Sequence, residues 1–290
     1  TSDIAKPRPS VRRYGEMALV VLLLLAGFGL TLSGAWNKSP AVDEVSHLTA
    51  GVSYWRTGDF RLNSEQGKFP QAWAALPVAL GPFKFPGLDQ AAWWRSDEWT
   101  LGHQFFFGVG NDAQSMLRRG RAMVALLGAI LGLVVYLWSR RLFGMAGGIV
   151  SLVACAFSPA MLAHGGLTTS DMALAMSLTL ATGAWWAVLH RVSPGTVLAS
   201  AAATALVFVT KASAFVLILI LLILFIVRIV AGRTLPVCMG RSFPVIARWR
   251  QGLVLGGVGL VHLAVVVLVI WACFGFRFSP FKYAEPGRDQ

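Results

Sequence analysis

The organisation of this chain follows from one stretch of sequence: the apolar run MALVVLLLLAGFGLTLSGAW at Met17–Trp36 and the segment DEVSHLTAG at Asp43–Gly51 that comes soon after it. An α-helix needs about 20 apolar residues to cross a bilayer, and the first run has that length. Two adjacent carboxylates and a histidine, Asp43, Glu44 and His47, therefore lie a few residues outside a membrane. We interpret the stretch as polar chemistry placed at a membrane surface.

The composition of the whole chain also indicates a membrane protein. Of its 290 residues 56% are hydrophobic and 13% are charged, and the mean hydropathy is +0.64, a balance that excludes an ordinary soluble domain. The net charge of +12 does not indicate a nucleic-acid partner, because basic residues in such a chain usually set the topology or contact membrane lipids. Three widely spaced cysteines predict neither a disulfide framework nor a zinc site.

Apolar runs of helical length recur along the chain, and they predict an all-α integral membrane protein, a polytopic helical bundle of about seven spans. The third and fifth runs are short for a full crossing, so we expect them to be tilted or buried among neighbouring helices. The runs are Met17–Trp36, Ala122–Trp138, Leu142–Pro159, Met172–Leu189, Val197–Val209, Ala212–Val230 and Leu253–Phe276.

The positive charges predict the orientation of these spans. With a cytoplasmic N-terminus, twelve Lys and Arg residues lie on the inner side against only Asp3 and Glu16, which is a strong positive-inside pattern. We therefore expect a multi-pass plasma-membrane protein, in the inner membrane if the cell is bacterial. Its expected parts are a cytoplasmic segment at 1–16, a transmembrane domain at 17–276 with an outer loop at 37–120, and a truncated outer tail at 277–290.

The outer loop is predicted to hold two short helices that lie in the membrane interface. Apolar residues recur at helical spacing from Val45 to Trp55, so we expect a helix that begins just after Pro40. A second helix is predicted at Phe69–Leu80, a segment with a proline in its first turn. The aromatic residues further along the loop are expected at headgroup level as an aromatic belt: Trp93, Trp94, Trp99, Phe105, Phe106 and Phe107.

Polar residues that are far apart in sequence are predicted to share the outer face. Asp43 and His47 are one helical turn apart and lie on one side of the first interface helix. An isolated acidic residue there would be interpreted as an N-cap, but the presence of His47 favours a functional site. The alternation of spans places His164, Asp171 and Lys211 on the same side of the membrane. Ionisable groups at membrane depth are costly and usually functional.

Short motifs run through the chain in a fixed order: Asp43-Glu44 with His47, Tyr54-Trp55, Thr57-Gly58-Asp59, Leu62-Asn63, Glu65, Asn111-Asp112, Arg121, Arg140-Arg141-Leu142-Phe143-Gly144, Ser158-Pro159, Ala163-His164, Thr169-Ser170-Asp171-Met172 and Thr210-Lys211-Ala212-Ser213. Together they resemble the protein O-mannosyltransferase and lipid A aminoarabinose transferase superfamily. Its members are polytopic glycosyltransferases of the GT-C type that use polyprenyl-phosphate-linked sugars. The resemblance covers most of residues 37–280 and corresponds to the N-terminal half of such proteins.

The resemblance implies a sugar transfer on the extracytoplasmic face, with inversion and an aspartate base, and it makes the outer loop the catalytic one. The donor would be a polyprenyl-phosphate sugar, and the acceptor a protein, a lipid or a glycan. Asp43 is the candidate base, Glu44 would orient it or the acceptor, and Asp171 would be a second acidic group. Whether the sugar is a hexose or a pentose stays open.

Such a reaction needs cations that hold the leaving phosphate. Lys211, alone between two apolar runs, is the expected anchor, and the alternative is that it snorkels from the end of a span to the interface. Arg121 and Lys68 are further candidates for the same contact.

A divalent metal is the one cofactor that the residues suggest. Glu65 with His47 or His164 would supply the ligands, since carboxylate and imidazole both bind such ions. The alternative for each histidine is a hydrogen-bonded, buried imidazole. His262, inside the last apolar run, predicts a packing role or an interhelical hydrogen bond.

Two other functions fit parts of the pattern. A transporter or flippase of lipid-linked substrates would place polar residues or Gly and Pro breaks in the middle of its spans, in pseudo-symmetric halves, whereas these charged residues collect at one face. An inactive fragment of a glycosyltransferase would keep the acidic motif and lack part of the lipid groove or acceptor site.

Overall fold

The computed structural model describes residues 11–64 and 66–283 and is almost entirely helical. An antiparallel hairpin, β1 (Leu235–Met239) and β2 (Arg241–Val245), is the only sheet in these residues. The helical segments are α1 (Val11–Ala35), α2 (Val42–Thr57), α3 (Lys68–Ala79), α4 (Ala91–Trp94), α5 (Glu98–His103), a π-helical turn (Gln104–Gly108), α6 (Ala113–Ala156), α7 (Pro159–Gly165), α8 (Asp171–His190), α9 (Pro194–Phe208), a 3₁₀ turn (Ala212–Ala214), α10 (Phe215–Ala231) and α11 (Arg248–Cys273).

The long apolar helices confirm a polytopic, all-α membrane protein. Within the described residues five helices are long and apolar enough to cross a bilayer, namely α1, α6, α8, α10 with its preceding turn, and α11, whereas α9 has the composition but not the length. The 44-residue α6 is broken at Gly144, where φ is +73°, a conformation that glycine adopts without strain. The sequence predicted a gap between the second and third runs at residues 139–141. The observed break lies at Gly144, just inside the third predicted run.

The outer loop folds as a helical layer with its own core. Helix α2 crosses α3 so closely that a Cβ on Gly51 would lie 2.1 Å from the carbonyl oxygen of Gln71, so only glycine fits there. Leu48 and Val52 of α2 pack with α3 and with the first turns of α6. The two interface helices were therefore predicted within two residues of their observed starts.

The predicted aromatic belt is wrong for half of its members. Trp93, Phe105 and Phe106 are at most 1% exposed and belong to the core of the outer layer. Trp99 and Phe107 remain about half exposed. The difference arises because the loop folds back on itself, so that Trp93 and Phe105 both pack against Phe85 and Phe105 contacts Phe106.

The chain after α11 returns to the outer layer. The carbonyl of Pro280 accepts a hydrogen bond from the backbone N–H of Phe60 at 2.9 Å, and the buried Asp59 accepts one from the backbone of Lys282 at 2.8 Å. Asp59 also pairs with Arg61 at 2.9 Å. These contacts fix the ends of α2 and α11 beside each other.

The other end of the bundle is formed by the end of α8, the start of α9, the hairpin and the start of α11. Helix α8 has 20 residues and is therefore about 30 Å long, which separates this end from the outer layer by roughly the thickness of a membrane. Between them, His262 of α11 shares a hydrogen bond of 2.9 Å with Ser200 of α9, and this confirms the interhelical contact predicted for that histidine.

Candidate active site

A polar cleft of about 150 Å³ lies where α2, α5, the α7–α8 loop and the α9–α10 connection meet. It unites Asp43 and His47 with Asp171 and Lys211, four residues that the sequence placed on one face of the membrane. Thus side chains from three separate parts of the chain can act on one bound molecule. The lining residues are Asp43, Ser46, His47, Asn63, Gln66, Glu98, Trp99, Thr169, Ser170, Asp171 and Lys211.

The first turns of α2 supply one wall of this cleft. Asp43 is solvent-exposed, and His47, one turn later, is only 8% exposed. The imidazole Nδ1 donates to the carbonyl oxygen of Thr168 at 3.2 Å, because a carbonyl can only accept. Burial lowers the pKa of His47, and the negative charge of Asp43 offsets this only in part. The ring is therefore neutral at pH 7, with Nε2 left as an acceptor.

Asp171 and Lys211 form the opposite wall. Lys211 Nζ donates to Asp171 Oδ1 at 2.6 Å, and the two side chains remain 29% and 42% exposed. Asp171 begins α8, and Lys211 has an extended backbone just before the 3₁₀ turn. His164 lies 3.6 Å from the second carboxylate oxygen of Asp171. Because this pair is open to solvent, an anion in the cleft can approach the ammonium group.

Glu44 faces away from the cleft and is fully buried. It pairs with Arg121 at 2.6 Å and accepts hydrogen bonds from the backbone N–H groups of Ala41 at 2.8 Å and Thr168 at 2.9 Å. The carboxylate therefore joins the start of α2 to the α7–α8 loop, and the two walls of the cleft are held by one side chain.

Arg121 has no hydrogen-bond donor left for a phosphate. Its Nε and one Nη2 hydrogen go to Glu44, and its three other N–H groups go to the carbonyls of Ala35, Lys38 and Ser39. The phosphate contact predicted for Arg121 therefore has no group in this structure to make it. The reason is burial, because Arg121 is 1% exposed and its guanidinium must be saturated by the protein itself.

Glu98 is a third carboxylate of the cleft that sequence reasoning missed. Its Oε1 accepts hydrogen bonds from Ser46 Oγ at 2.8 Å and from Asn63 Nδ2 at 3.1 Å. The only local signal is Asp97, which caps α5 by accepting from the backbone of Thr100 at 3.0 Å and so places Glu98 in the first turn. Nothing in that signal brings α5 to α2.

Lys68 lies outside the cleft, at a neighbouring apolar groove of about 480 Å³ between α2, α3, α9 and α11. Its ammonium contacts the carbonyl of Cys273 and lies 3.6 Å from the centre of the Phe274 ring. Burial lowers the pKa of Lys68 to about 7. The side chain is thus balanced between its charged and neutral forms at neutral pH.

The cleft and the groove share one border. Gln66 and Lys211 line the cleft, while their chain neighbours Lys68 and Val209 line the groove. The two segments touch, since a Cβ on Gly67 would lie 2.4 Å from the carbonyl oxygen of Val209. On the cleft side Gln66 has a buried Oε1 without a hydrogen-bond partner in the described residues. A molecule with an apolar chain and a polar head can therefore span both.

The predicted metal site stays a prediction. Glu65 lies outside the described residues, and His47 and His164 make the contacts given above with Thr168 and Asp171. Within residues 11–64 and 66–283 no cluster of three His, Cys, Asp or Glu side chains is arranged to hold a metal ion.

Comparison with known proteins gives one family. Residues 104–246 match the model of the dolichyl-phosphate-mannose-protein mannosyltransferase family. The matched segment includes Arg121, His164, Asp171 and Lys211 and begins after Asp43. It confirms the resemblance to GT-C membrane glycosyltransferases, and the matched family is one of mannosyltransferases. No curated protein and no solved structure gives a significant match to the chain.

Proposed function

We propose that this membrane glycosyltransferase takes a sugar from a polyprenyl-phosphate donor and transfers it to an acceptor on the extracytoplasmic face, and that the polar cleft is its active site. One observation carries the proposal: an acidic residue, Asp43, and a cation, Lys211, line the same polar cleft, and an apolar groove adjoins it. The family match supports a mannosyl donor as the first to test.

The reaction assigns a role to each wall of the cleft. Asp43 takes the proton of the acceptor hydroxyl, whose oxygen attacks the anomeric carbon from the side opposite the phosphate. The bond between that carbon and the phosphate oxygen breaks, and the phosphate leaves with the electron pair, so the configuration inverts. Lys211 stabilises the negative charge on the leaving phosphate. Asp171 holds Lys211 in place through their 2.6 Å contact.

The donor fits across the border between the two cavities. We assign the polyprenyl chain to the apolar groove, the phosphate to the border between Lys211 and Lys68, and the sugar to the cleft. A phosphate beside Lys68 favours its charged form, so donor binding at pH 7 draws a proton onto this lysine. Neutral His47 offers Nε2 as an acceptor for a sugar or acceptor hydroxyl.

Glu44 and Arg121 have a supporting role in this account. They fix the start of α2 and the α7–α8 loop, and therefore the distance between Asp43 and Asp171. A divalent metal bound by Glu65 with His47 or His164 would add positive charge at the phosphate. The described residues offer no three-ligand cluster for it, and no step above depends on it.

The distribution of charge favours transfer over transport. A flippase would need polar side chains along the middle of its spans to contact the substrate. The ionisable groups of the cleft lie instead at the start of α8 and in the α9–α10 connection, and the mid-span His262 is buried and bound to Ser200 of α9. The cleft therefore faces one side of the membrane, which the positive-inside pattern makes the exterior or periplasm.

The experiment that tests the proposal is sugar transfer in membranes that contain the protein, with polyprenyl-phosphate mannose as donor and a mixture of acceptors. Asp43→Asn should lower transfer by at least about 100-fold, the range for loss of a general base. Asp89→Asn, a change of another exposed aspartate in the outer loop, is the matched control and should leave transfer unchanged. Equal transfer by the Asp43→Asn and Asp89→Asn proteins would refute Asp43 as the base.

A further inference from the structure

A third cavity, of about 310 Å³, lies at the opposite end of α8 from the cleft. It opens between the ends of α8 and α10 and is closed by the loop that leads into β1. Because α8 is about 30 Å long, this cavity is separate from the active site and faces the other side of the membrane. Among its lining residues are Trp186, Leu189, Leu224, Val227, Arg228 and Arg233.

Arg228 carries a buried charge that no carboxylate in the described part of the chain pairs with. The residue is 9% exposed, and it donates to the backbone carbonyls of Leu189 at 2.7 Å, Arg233 at 2.7 Å and Thr234 at 3.0 Å and to Gln251 Oε1 at 3.4 Å, which leaves one Nη2 hydrogen for a ligand. These acceptors are neutral, so they satisfy the N–H groups without neutralising the positive charge. A charge in such a position is costly unless an anion compensates it.

More cations surround the same cavity. Arg233 lines it and has no ion pair among the described residues. Arg248 packs over Gly232, with a guanidinium nitrogen 3.1 Å from the position of a Cβ there. Glu16 is the one carboxylate of the described residues at this end, and it pairs with Arg140. Residues 11–64 and 66–283 therefore provide no carboxylate that pairs with Arg228 or Arg233.

Apart from His190 and Thr234 the rest of the lining is apolar, and part of it is open to the bilayer. Leu224 and Val227 lie on α10 and Trp186 on α8, and Val227 and Trp186 are 59% and 39% exposed. A free inorganic ion would leave these surfaces uncovered, whereas an amphiphile would cover them with its chains.

We propose that this cavity binds the phosphate headgroup of an anionic phospholipid, with the phosphate between Arg228 and Arg233 and the acyl chains against Leu224 and Val227. Basic pockets between membrane helices on the cytoplasmic side suit this chemistry. The inference is independent of the proposed sugar transfer, because neither the residues nor the cavity belong to the cleft.

Lipid titration of the purified chain followed by native mass spectrometry tests this site. The protein is titrated in detergent with phosphatidylglycerol, with phosphatidylcholine and with inorganic phosphate. We expect phosphatidylglycerol to bind at one saturable site, phosphatidylcholine to bind more weakly, and millimolar inorganic phosphate to leave the bound lipid in place. Arg228→Gln and Arg233→Gln should each weaken phosphatidylglycerol binding about fivefold, the effect of one basic residue near an anionic lipid.

Matched variants keep the test decisive. Arg250→Gln alters an exposed arginine at the same end that stacks over Trp249 outside the cavity, and it should not change the affinity. Arg233 is exposed, so Arg233→Gln reports on the site even where Arg228→Gln unfolds the protein. Equal affinity for the two lipids, or equal affinity in Arg233→Gln and Arg250→Gln, would overturn the proposal. Displacement by inorganic phosphate would make it a site for a soluble anion and would overturn the lipid assignment.

Discussion

The two ion pairs next to the cleft carry the same charges but differ in burial and in the number of hydrogen bonds that they make. Glu44 and Arg121 are buried, and all five guanidinium N–H groups are bound by protein oxygens. Asp171 and Lys211 are 42% and 29% exposed, and only one contact joins them. A saturated, buried pair can hold the backbone but cannot receive a ligand, whereas an open pair can exchange one partner for a phosphate. Burial thus separates the scaffold from the groups that act on substrate.

The largest effect is expected from breaking the buried pair. Arg121→Met leaves Glu44 buried without its cation and frees the carbonyls of the α1–α2 connection. Loss of one partner of a buried pair typically costs about 3–5 kcal/mol, so the protein should express poorly and unfold at a much lower temperature in detergent. Arg119→Met, two residues away on the exposed side of α6, is the control. A normal melting temperature for Arg121→Met would contradict the scaffold role.

Removing the open cation should affect donor binding and leave the fold intact. Lys211→Ala removes a charge-assisted contact of about 1.5–3 kcal/mol, so affinity for the polyprenyl-phosphate donor should fall about 10- to 100-fold. The melting temperature should change little, because exposed pairs contribute only about 0–1 kcal/mol. Lys84→Ala, which changes an exposed lysine of the outer layer, serves as the control. If the Lys211→Ala and Lys84→Ala proteins bound the donor with equal affinity, Lys211 would not be the residue that holds the donor phosphate.

Lys68, at the border of the groove, is expected to make the stability of the protein depend on pH. Its pKa is lowered from 10.5 to about 7 by burial, so between these values the unfolded chain binds more protons than the folded one. Stability should therefore rise with pH from about 7 towards 10. Lys68→Met should lack this rise. Melting curves of both proteins from pH 7 to 9 measure it, and parallel curves would show that Lys68 is not buried as described.

The sequence predicted those parts of the site that depend on local pattern and topology. The periodicity after Pro40 predicted α2, which begins at Val42, and with it the shared face of Asp43 and His47. The alternation of spans predicted that Asp171 and Lys211 would join them. These inferences held because helical spacing and membrane sidedness are properties of short segments.

The missed features depend on contacts between distant segments. Glu98 reaches the cleft only because Trp93 and Leu101 are buried in the outer layer together with α2 residues. The spacing of apolar residues in the sequence does not predict this packing. The saturation of Arg121 likewise arises from carbonyls at residues 35–39, more than 80 positions away. A charged residue in a sequence does not show whether its partners will be protein groups or ligand.

The central claim is that the base Asp43 and the phosphate anchor Lys211 act on the same bound donor. The most direct test measures both donor binding and sugar transfer in two variants. Radiolabelled polyprenyl-phosphate mannose would be titrated against Asp43→Asn and Lys211→Ala protein in detergent, and transfer followed on the same samples. We predict that Asp43→Asn binds the donor as the unaltered protein does and transfers no sugar, while Lys211→Ala binds it about 10- to 100-fold more weakly. Unchanged transfer by Asp43→Asn together with unchanged binding by Lys211→Ala would contradict the account.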